Sequence, residues 1–239
     1  MMNMMQKNHS LSIFFPAYNE EENIEESVRL AEAAARQLTW DYEIIVINDG
    51  SKDRTGEIAE RMASENPRIR VVHHSPNRGY GEAVRSGIRA ARKEYVFFTD
   101  ADLQFDFSEL SVLWSYVPDC DMILGYRAKR RDPFMRLVNA KAWNLLNRML
   151  FGLNVRDIDC AFKLMRRSVI AELPLISKGA MLSAELLIRV QRQGIPFKEV
   201  AVTHLPRQRG SQTGAKPAVI IRAFQEMIRV RQTGLVATQ

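Results

Sequence analysis

The chain has 239 residues, 46% of them hydrophobic, which suffices for one large α/β domain or two small ones. Its two cysteines are too few for a disulfide scaffold or a zinc site, and no apolar run is long enough to span a membrane. The first residues lack the apolar core of a signal peptide, so we expect a cytoplasmic protein that is soluble or peripheral on the inner face of the membrane.

Charge is distributed unevenly along the chain. Residues 1–126 contain 13 Lys or Arg and 21 Asp or Glu, a balance of −8, whereas residues 127–239 contain 21 and 7, a balance of +14. The basic second half predicts an anionic partner, such as a phosphate, a nucleic acid or a membrane surface. A solvated basic face would give the same composition.

Strand and helix patterns alternate through the first half. Short apolar runs predict strands at 11–15, 42–47, 69–74 and 95–99. Asn19 and Glu22 have the spacing of a capping box, which predicts a helix start there, and apolar residues then recur at helical spacing to Leu38. Further helices are predicted at 54–64 and after the glycine-rich segment NRGYGEA. This alternation predicts a parallel sheet, in which ligands bind beyond the carboxyl ends of the strands.

The second half is less regular. We predict strands at 121–125, within DCAFKLMRR and within FKEVAVTH, and helices at 134–152, 182–194 and 217–232. Helices 134–152 and 217–232 are amphipathic, and the apolar face of the first comprises Phe134, Val138, Leu145, Leu146 and Met149. Such faces, with the basic loop 127–131, suit a membrane interface. They equally suit packing on the domain or on a second subunit, so a homo-oligomer stays open.

Two carboxylates follow the fourth predicted strand. Asp100 and Asp102 are one residue apart where the apolar run ends, and Gln104 comes next. Carboxylate and amide oxygens suit Mg²⁺ or Mn²⁺, and Mg²⁺ completes its shell with substrate phosphates and water. An Asp-rich turn after a strand would contain the same residues, so the pair alone is weak evidence for a metal site. Asp49, after the second strand, is predicted to lie at the same edge of the sheet.

Four segments of the first half occur in a characteristic order. They are FFPAYNEEEN, INDGSKDRT, NRGYGEAVRSGI and FTDADLQ. Together they resemble family 2 glycosyltransferases of the GT-A fold, in particular polyprenyl-phosphate sugar synthases such as dolichyl-phosphate mannose and glucose synthases. The resemblance extends over roughly residues 10–232. It implies a Rossmann-like, mostly parallel sheet flanked by helices, with a C-terminal acceptor-side extension. Residues 10–126 would form the nucleotide-sugar-binding half of a single catalytic domain, and residues 127–239 the acceptor-binding half.

The resemblance implies a donor site for a GDP- or UDP-sugar. The implied nucleotide contacts are Pro16, Tyr18, Glu20, Asp49, Asp100 and Ala101. Asp49 would bind the base, and an Asp-Gly turn is the alternative for this residue. The implied metal ligands, for Mg²⁺ or Mn²⁺, are Asp100, Asp102 and Gln104, with Asp102 as a catalytic residue. Many family members have a second acid where this chain has Asn48, which leaves the nucleobase open.

The second half matches the synthases more loosely. VRDIDCAFKLMRR resembles their Asp-x-x-x-Gly-Phe-Arg segment, with Ala161 where glycine is usual. The implied catalytic residues here are Asp157, Arg127 and Glu185, and the implied acceptor or phosphate contacts are Arg127, Arg131, Lys163, Arg207 and Arg209. A paired structural acid is the alternative for Glu185, and a solvated basic loop is the alternative for Arg127 and Arg131. We predict structural roles for His73, His74 and His204.

The implied reaction is an inverting sugar transfer, in which cations neutralise the leaving diphosphate. A polyprenyl phosphate acceptor is already anionic and needs orientation more than a base. A hydroxyl acceptor would need a base, for which Asp157 and Glu185 are the candidates. Two other classes stay open. A nucleic-acid binder would leave the acidic sheet edge unexplained, and a non-catalytic nucleotide-sugar sensor would lack turnover.

Overall fold

One sheet organises the structure, a computed structural model that describes residues 8–117, 119–128, 134–207, 209 and 217–233. Its strands are β1 (Leu11–Ala17), β2 (Tyr42–Asn48), β3 (Ile69–His73), β4 (Tyr95–Thr99), β5 (Met122–Arg127), β6 (Phe162–Arg166) and β7 (Lys198–Val202). They lie in the order β3-β2-β1-β4-β6-β5-β7. Strand β6 runs antiparallel to β4 and β5, and the other neighbouring pairs are parallel. The predicted mostly parallel sheet is confirmed.

Helices flank this sheet. They are α1 (Ile24–Leu38), α2 (Thr55–Glu65), α3 (Tyr80–Ala90), α4 (Leu110–Trp114), α5 (Phe134–Phe151), α6 (Arg167–Ile170), α7 (Met181–Arg192) and α8 (Pro217–Gln232). Helix α1 contacts α2 and α4, whereas α3 packs on β1 and β2 and contacts α7, which in turn contacts α8. None of the helices in the described ranges is long and apolar enough to cross a bilayer.

The core is densest around the central strands. Leu11, Ile13, Phe14 and Phe15 of β1 are fully buried, as expected for a parallel strand covered on both faces. Helix α3 approaches this strand closely at Gly87, where an added Cβ would lie only 2.2 Å from the ring of Phe14. The continuous apolar runs of the sequence therefore mark the centre of the sheet.

The first helix begins later than the sequence predicts. Helix α1 starts at Ile24, and Asn19 has a positive φ of 55°. The Asn19 N–H donates to Ser51 Oγ at 3.0 Å, and its Oδ1 accepts from the Lys52 N–H at 2.8 Å. The predicted capping box was wrong because these contacts hold Asn19 against the turn after β2, outside any helix.

Helix α5 leaves much of its predicted apolar face exposed. Val138, Leu145 and Met149 are exposed, Met149 to 75%, whereas Asn147 on the predicted polar face is fully buried. Leu146 of the predicted apolar face packs against the core, whereas Lys141 and Arg148 of the predicted polar face are exposed, so the helical pattern does not separate the buried from the exposed side of α5. Arg127 ends β5, and the following basic residues Arg130 and Arg131 lie outside the described residues.

Candidate active site

Three segments predicted to bind the nucleotide meet at the carboxyl ends of β1, β2 and β4. Pro16 lies in β1 beside Ile47 of β2. The Glu20 N–H donates to Thr55 Oγ1 at 2.8 Å, which joins the loop after β1 to the start of α2. Ser27 Oγ donates to the carbonyl of Ala101 at 2.9 Å, which joins α1 to the segment after β4. The sheet order thus brings distant parts of the sequence to one edge.

The paired carboxylates Asp100 and Asp102 lie at this edge. Burial, and then the nearby charge of Asp102, raise the pKa of Asp100 to about 7. The Tyr80 hydroxyl, at the first turn of α3, donates to Asp100 Oδ1 at 3.1 Å. The two carboxylates repel each other, and this repulsion contributes to the raised pKa of Asp100. A bound cation would relieve the repulsion.

The basic segment after β7 contacts these carboxylates. Arg207 Nη2 donates to Glu20 Oε1 at 2.6 Å, and Arg207 Nη1 donates to Asp102 Oδ2 at 3.4 Å. Burial raises the pKa of Glu20, while hydrogen bonds from Asn23 and Arg207 oppose that rise. Arg209 Nη1 donates to the carbonyl of Glu22 at 3.1 Å. Two of the predicted phosphate-binding arginines, Arg207 and Arg209, therefore lie against the loop after β1.

His204 lies beside a predicted metal ligand, although its sequence position suggested only a structural role. The Nε2 atoms of Gln104 and His204 are 3.5 Å apart, and both side chains are buried. The Leu205 N–H donates to the carbonyl of Gln104 at 2.9 Å. The one sequence signal for His204 is its place just before the basic segment containing Arg207.

These side chains suit a hard divalent cation. Among the described residues, no cluster of three or more His, Cys, Asp or Glu side chains suits a metal ion. The candidate set consists instead of the carboxylates of Asp100 and Asp102 and the side-chain amide of Gln104, whose Nε2 donates to the carbonyl of Leu205 at 3.3 Å. Mg²⁺ and Mn²⁺ accept such a set when phosphate and water supply the remaining ligands. The donors therefore fit the predicted Mg²⁺ or Mn²⁺.

Asp49 is buried and holds the loop between β3 and α3. Its carboxylate accepts from the N–H groups of Arg78 and Gly79, each at 2.9 Å. Its Oδ1 is also 2.6 Å from Nδ1 of His74, and the Asn77 amide donates to the Asp49 carbonyl at 2.7 Å. This geometry supports the alternative role of Asp49 in a turn, and contact with a base stays a prediction.

A cavity of about 620 Å³ lies beside this turn. Tyr18, residues 50–52 and residues 73–77 contribute to its lining. Its size is within the range of small-molecule sites. The cavity joins two of the segments predicted to bind a nucleotide, so it is the candidate place for the base.

Replacing Asp49 with alanine should affect both folding and nucleotide binding. The change leaves buried donors unpaired, so we expect the free energy of unfolding to fall by about 1–3 kcal/mol. UDP and GDP affinity should fall by a similar amount because the loop beside the cavity loses its anchor. Urea denaturation and calorimetry measure the two effects. Lower stability with unchanged nucleotide affinity would confine Asp49 to the turn.

Arg127 and Asp157 form a buried ion pair. Nε and Nη2 of Arg127 donate to the two carboxylate oxygens of Asp157 at 2.6 and 2.7 Å, and both side chains are 8% exposed. Burial opposes the charge of Arg127, but the hydrogen bond and charge of Asp157 raise its pKa above the usual value. The two residues, predicted as separate catalytic groups, are thus each other's partners.

Lys163 and Glu185 are buried among structural partners. The Lys163 ammonium donates to the carbonyls of Ile158 and Cys160, and burial lowers its pKa. The Glu185 carboxylate accepts from the N–H groups of Ile176 and Ser177, and it pairs with Arg189. These contacts favour a structural role for both, in place of the predicted acceptor contact and catalysis.

The contact of Tyr80 with Asp100 was not predicted from the sequence and is seen only in the structure. Removing the Tyr80 hydroxyl should weaken metal binding. In Tyr80→Phe, Asp100 loses a hydrogen bond that orients its carboxylate. Partners of metal ligands typically contribute about 10–100-fold to metal affinity or activity, so we expect an Mn²⁺ requirement at least about tenfold higher. Titration of activity with Mn²⁺ measures this, with Tyr116→Phe as the matched control. Equal titration curves for both variants would show that Tyr80 does not position Asp100.

Comparisons with known proteins relate the chain to enzymes of sugar transfer. The chain is 34% identical over 167 residues to the undecaprenyl-phosphate 4-deoxy-4-formamido-L-arabinose transferase of Pseudomonas fluorescens, covering 68% of this chain and 48% of that protein. It is 32% identical over 211 residues to the polyprenol monophosphomannose synthase of Mycolicibacterium smegmatis, covering 83% and 78%. The chain thus spans about half the length of the arabinose transferase and most of the length of the synthase.

A solved structure has the same fold. Glucosyl-3-phosphoglycerate synthase from Mycobacterium tuberculosis, in complex with Mn²⁺, UDP and phosphoglyceric acid, matches with a TM-score of 0.73 at 20% identity, covering 97% of this chain and 80% of that one. This likeness confirms the predicted GT-A fold. The family model described as glycosyl transferase family 2 matches residues 12–173. The chain therefore belongs to glycosyl transferase family 2.

Proposed function

We propose that this glycosyltransferase moves a sugar from a nucleotide-diphosphate donor to a polyprenyl phosphate. The observation that carries the proposal is the pair Asp100 and Asp102 at the carboxyl edge of the sheet, with Arg207 Nη1 lying 3.4 Å from Asp102 Oδ2. The names of two relatives, undecaprenyl-phosphate 4-deoxy-4-formamido-L-arabinose transferase and polyprenol monophosphomannose synthase, support the acceptor class.

The donor half, residues 10–126, would bind the nucleotide-sugar. The cavity beside Tyr18 would take the base, and Asp100, Asp102 and Gln104 would hold Mg²⁺ or Mn²⁺. Such an ion, when bound, neutralises the charge of the leaving diphosphate. Arg207 would exchange part of its contact with Glu20 and Asp102 for the diphosphate, so that a guanidinium stabilises the same developing charge. Inversion at the sugar is part of the proposal.

The acceptor half, residues 127–239, favours an anionic acceptor. A hydroxyl acceptor needs a base, but the Asp157 carboxylate is bound to Arg127 and that of Glu185 accepts from main-chain N–H groups. A phosphate monoester is already ionised at neutral pH and needs only to be oriented. Because both candidate bases are engaged in this way, the acceptor half favours a lipid phosphate over a hydroxyl acceptor.

Nucleotide release tests this function. A panel of UDP- and GDP-sugars would be incubated with Mn²⁺, with and without polyprenyl phosphate. We expect release with one donor class to rise strongly when the lipid is added. Release that depends on a soluble sugar instead would favour a hydroxyl acceptor, and binding of the donor with no release would favour a sensor.

Two helices offer apolar side chains for contact with the lipid surface. Leu145 and Met149 of α5 and Ile221 and Ile228 of α8 are more than half exposed. The two helices contact each other through the rings of Trp143 and Phe224, whose centroids are 5.9 Å apart. Together with the basic second half, this surface suits peripheral docking to an anionic leaflet.

Liposome flotation measures the docking. We expect the protein to float with vesicles that contain anionic lipid, and less so as salt rises through the physiological range. Met149→Glu with Ile228→Glu should abolish flotation, because charge is then placed in the apolar surface. Leu30→Glu, at an exposed position of α1, is the matched control. A protein that stays in the soluble fraction at low salt, and sediments as a dimer, would assign this surface to a second copy.

A further inference from the structure

A second cavity, of about 480 Å³, lies between helix α8 and the loop that precedes α7. The loop contributes Ile176, Ser177 and Lys178, and α8 contributes Ile221, Arg222, Gln225, Glu226 and Arg229. Its volume is within the range of small-molecule sites. None of the functional residues implied by the family resemblance lines it.

Positive charge dominates this cavity. The buried Glu226 carboxylate accepts from the N–H groups of Lys178 and Gly179, and from Arg222 Nε at 3.2 Å. Glu226 therefore fastens the loop to α8 and neutralises one of three cations. Within the described part of the chain, no ion pair engages the Lys178 ammonium or the Arg229 guanidinium. The cavity is left with an excess of about two positive charges, which favours an anionic ligand.

A buried hydroxyl points to the same kind of ligand. Ser177 is 2% exposed, and its Oγ has no hydrogen-bond partner among the described residues. A buried hydroxyl without a partner is uncommon and costs free energy, so an acceptor atom from a ligand would satisfy it. A phosphate oxygen supplies such an acceptor along with the negative charge.

The surface next to the cavity is apolar. Ile221, 59% exposed, contributes to the cavity lining, and Phe224 and Ile228 follow it on the adjoining stripe of α8 at helical spacing. The polar cavity and the apolar stripe are thus neighbouring faces of one helix. That juxtaposition suits an amphiphile with an acidic head and an apolar chain better than it suits free phosphate.

The cavity wall also contacts the loop that carries Tyr80. The Gly81 N–H donates to the carbonyl of Lys178 at 2.9 Å. A Cβ added at Gly79 would lie 3.0 Å from that carbonyl and 3.8 Å from Nη1 of Arg222. Tyr80 lies between these two glycines in the sequence, and its hydroxyl donates a hydrogen bond to Asp100 in the candidate donor site. A ligand in the cavity would therefore lie next to the start of α3, from which Tyr80 bonds the candidate metal ligand Asp100.

We propose that this cavity binds the phosphate of a prenyl phosphate acceptor. Lys178, Arg229 and Ser177 contact its phosphate oxygens, and Ile221 and Phe224 contact the start of its apolar chain. The identity of the ligand as the acceptor rests on the proposed function. The assignment differs from the expectation that Arg127, Arg131, Lys163, Arg207 and Arg209 bind the acceptor.

Calorimetry with farnesyl phosphate, a short prenyl phosphate, tests the site directly. We expect Arg229→Ala and Lys178→Ala each to weaken binding by about tenfold, the effect of losing one charge-assisted hydrogen bond. Arg231→Ala removes an exposed charge two residues along the same helix and should leave binding unchanged. Farnesol and inorganic phosphate separate the contributions of head and chain, and both should bind more weakly than the intact amphiphile.

The outcomes separate this site from the proposed reaction. Absence of farnesyl phosphate binding to the wild type, or equal affinity of all variants, would overturn the site. Inorganic phosphate binding as tightly as farnesyl phosphate would overturn the amphiphile assignment. Binding that depends on Arg229 and Lys178, without any sugar transfer, would uphold the site and refute the reaction. Circular dichroism checks that the variants are folded, and Arg229 is exposed, so its loss should not unfold the protein.

Discussion

Replacing Asp102 with alanine is expected to lower the rate of sugar transfer by at least about 10²-fold, the scale seen when one electrostatic stabiliser is removed. Asp102 is one of the two carboxylates of the candidate metal site, and Arg207 Nη1 lies 3.4 Å from its Oδ2. The variant therefore loses a candidate metal ligand, and Arg207 keeps its ion pair with Glu20 but loses its contact with Asp102. Both changes weaken the stabilisation of the leaving diphosphate.

Initial rates at saturating Mn²⁺ and donor measure this effect. Asp106→Ala is the matched control, because Asp106 lies four residues along the chain, is exposed, and its carboxylate accepts only from the Ser108 N–H in the described structure. It should retain nearly the wild-type rate. A folded Asp102→Ala variant that turns over as fast as the wild type would remove Asp102 from the metal site.

Replacing Asp157 with asparagine is expected to lower the free energy of unfolding by about 3–5 kcal/mol, because Arg127 is then buried without a charge partner. The pair is bidentate and both side chains are 8% exposed, so solvent does not replace the lost carboxylate. A general base at this position would behave differently, since its loss would reduce the rate with little effect on stability.

Urea denaturation distinguishes these roles. Arg29→Ala is the control, because it removes an exposed ion pair with Glu25 on α1, worth at most about 1 kcal/mol. An Asp157→Asn protein as stable as Arg29→Ala, with transfer abolished, would contradict the structural role and return Asp157 to the catalytic candidates.

The sequence predicted the first half of the sheet well because its strands are buried on both faces. The predicted strand at 95–99 has the same bounds as β4, and those at 11–15 and 42–47 fall within β1 and β2. Continuous apolar runs of this kind leave little ambiguity about strand positions. The order of the motifs was equally informative, since it identified the family that the comparisons show.

Partners of charged residues could not be predicted from the sequence. The sequence shows that Lys163 and Glu185 are ionisable. Only the fold shows that a main-chain carbonyl accepts from Lys163 and that a main-chain N–H donates to Glu185. Tyr80 is distant in sequence from Asp100, and His204 is distant from Gln104, so each pair is brought together only by the fold. The capping box at Asn19 was overridden by contacts with the turn after β2, which no local pattern contains.

Capture of a labelled sugar in a lipid product tests the central claim most directly. The protein would be incubated with Mn²⁺, polyprenyl phosphate and a UDP- or GDP-sugar labelled in the sugar, and the mixture would then be extracted with organic solvent. We predict label in the organic phase as a prenyl-phosphate-linked sugar, dependent on Mn²⁺, on the lipid and on Asp102. Label that stays wholly in the aqueous phase, while nucleotide is released at the same rate with and without the lipid, would contradict transfer to a lipid phosphate.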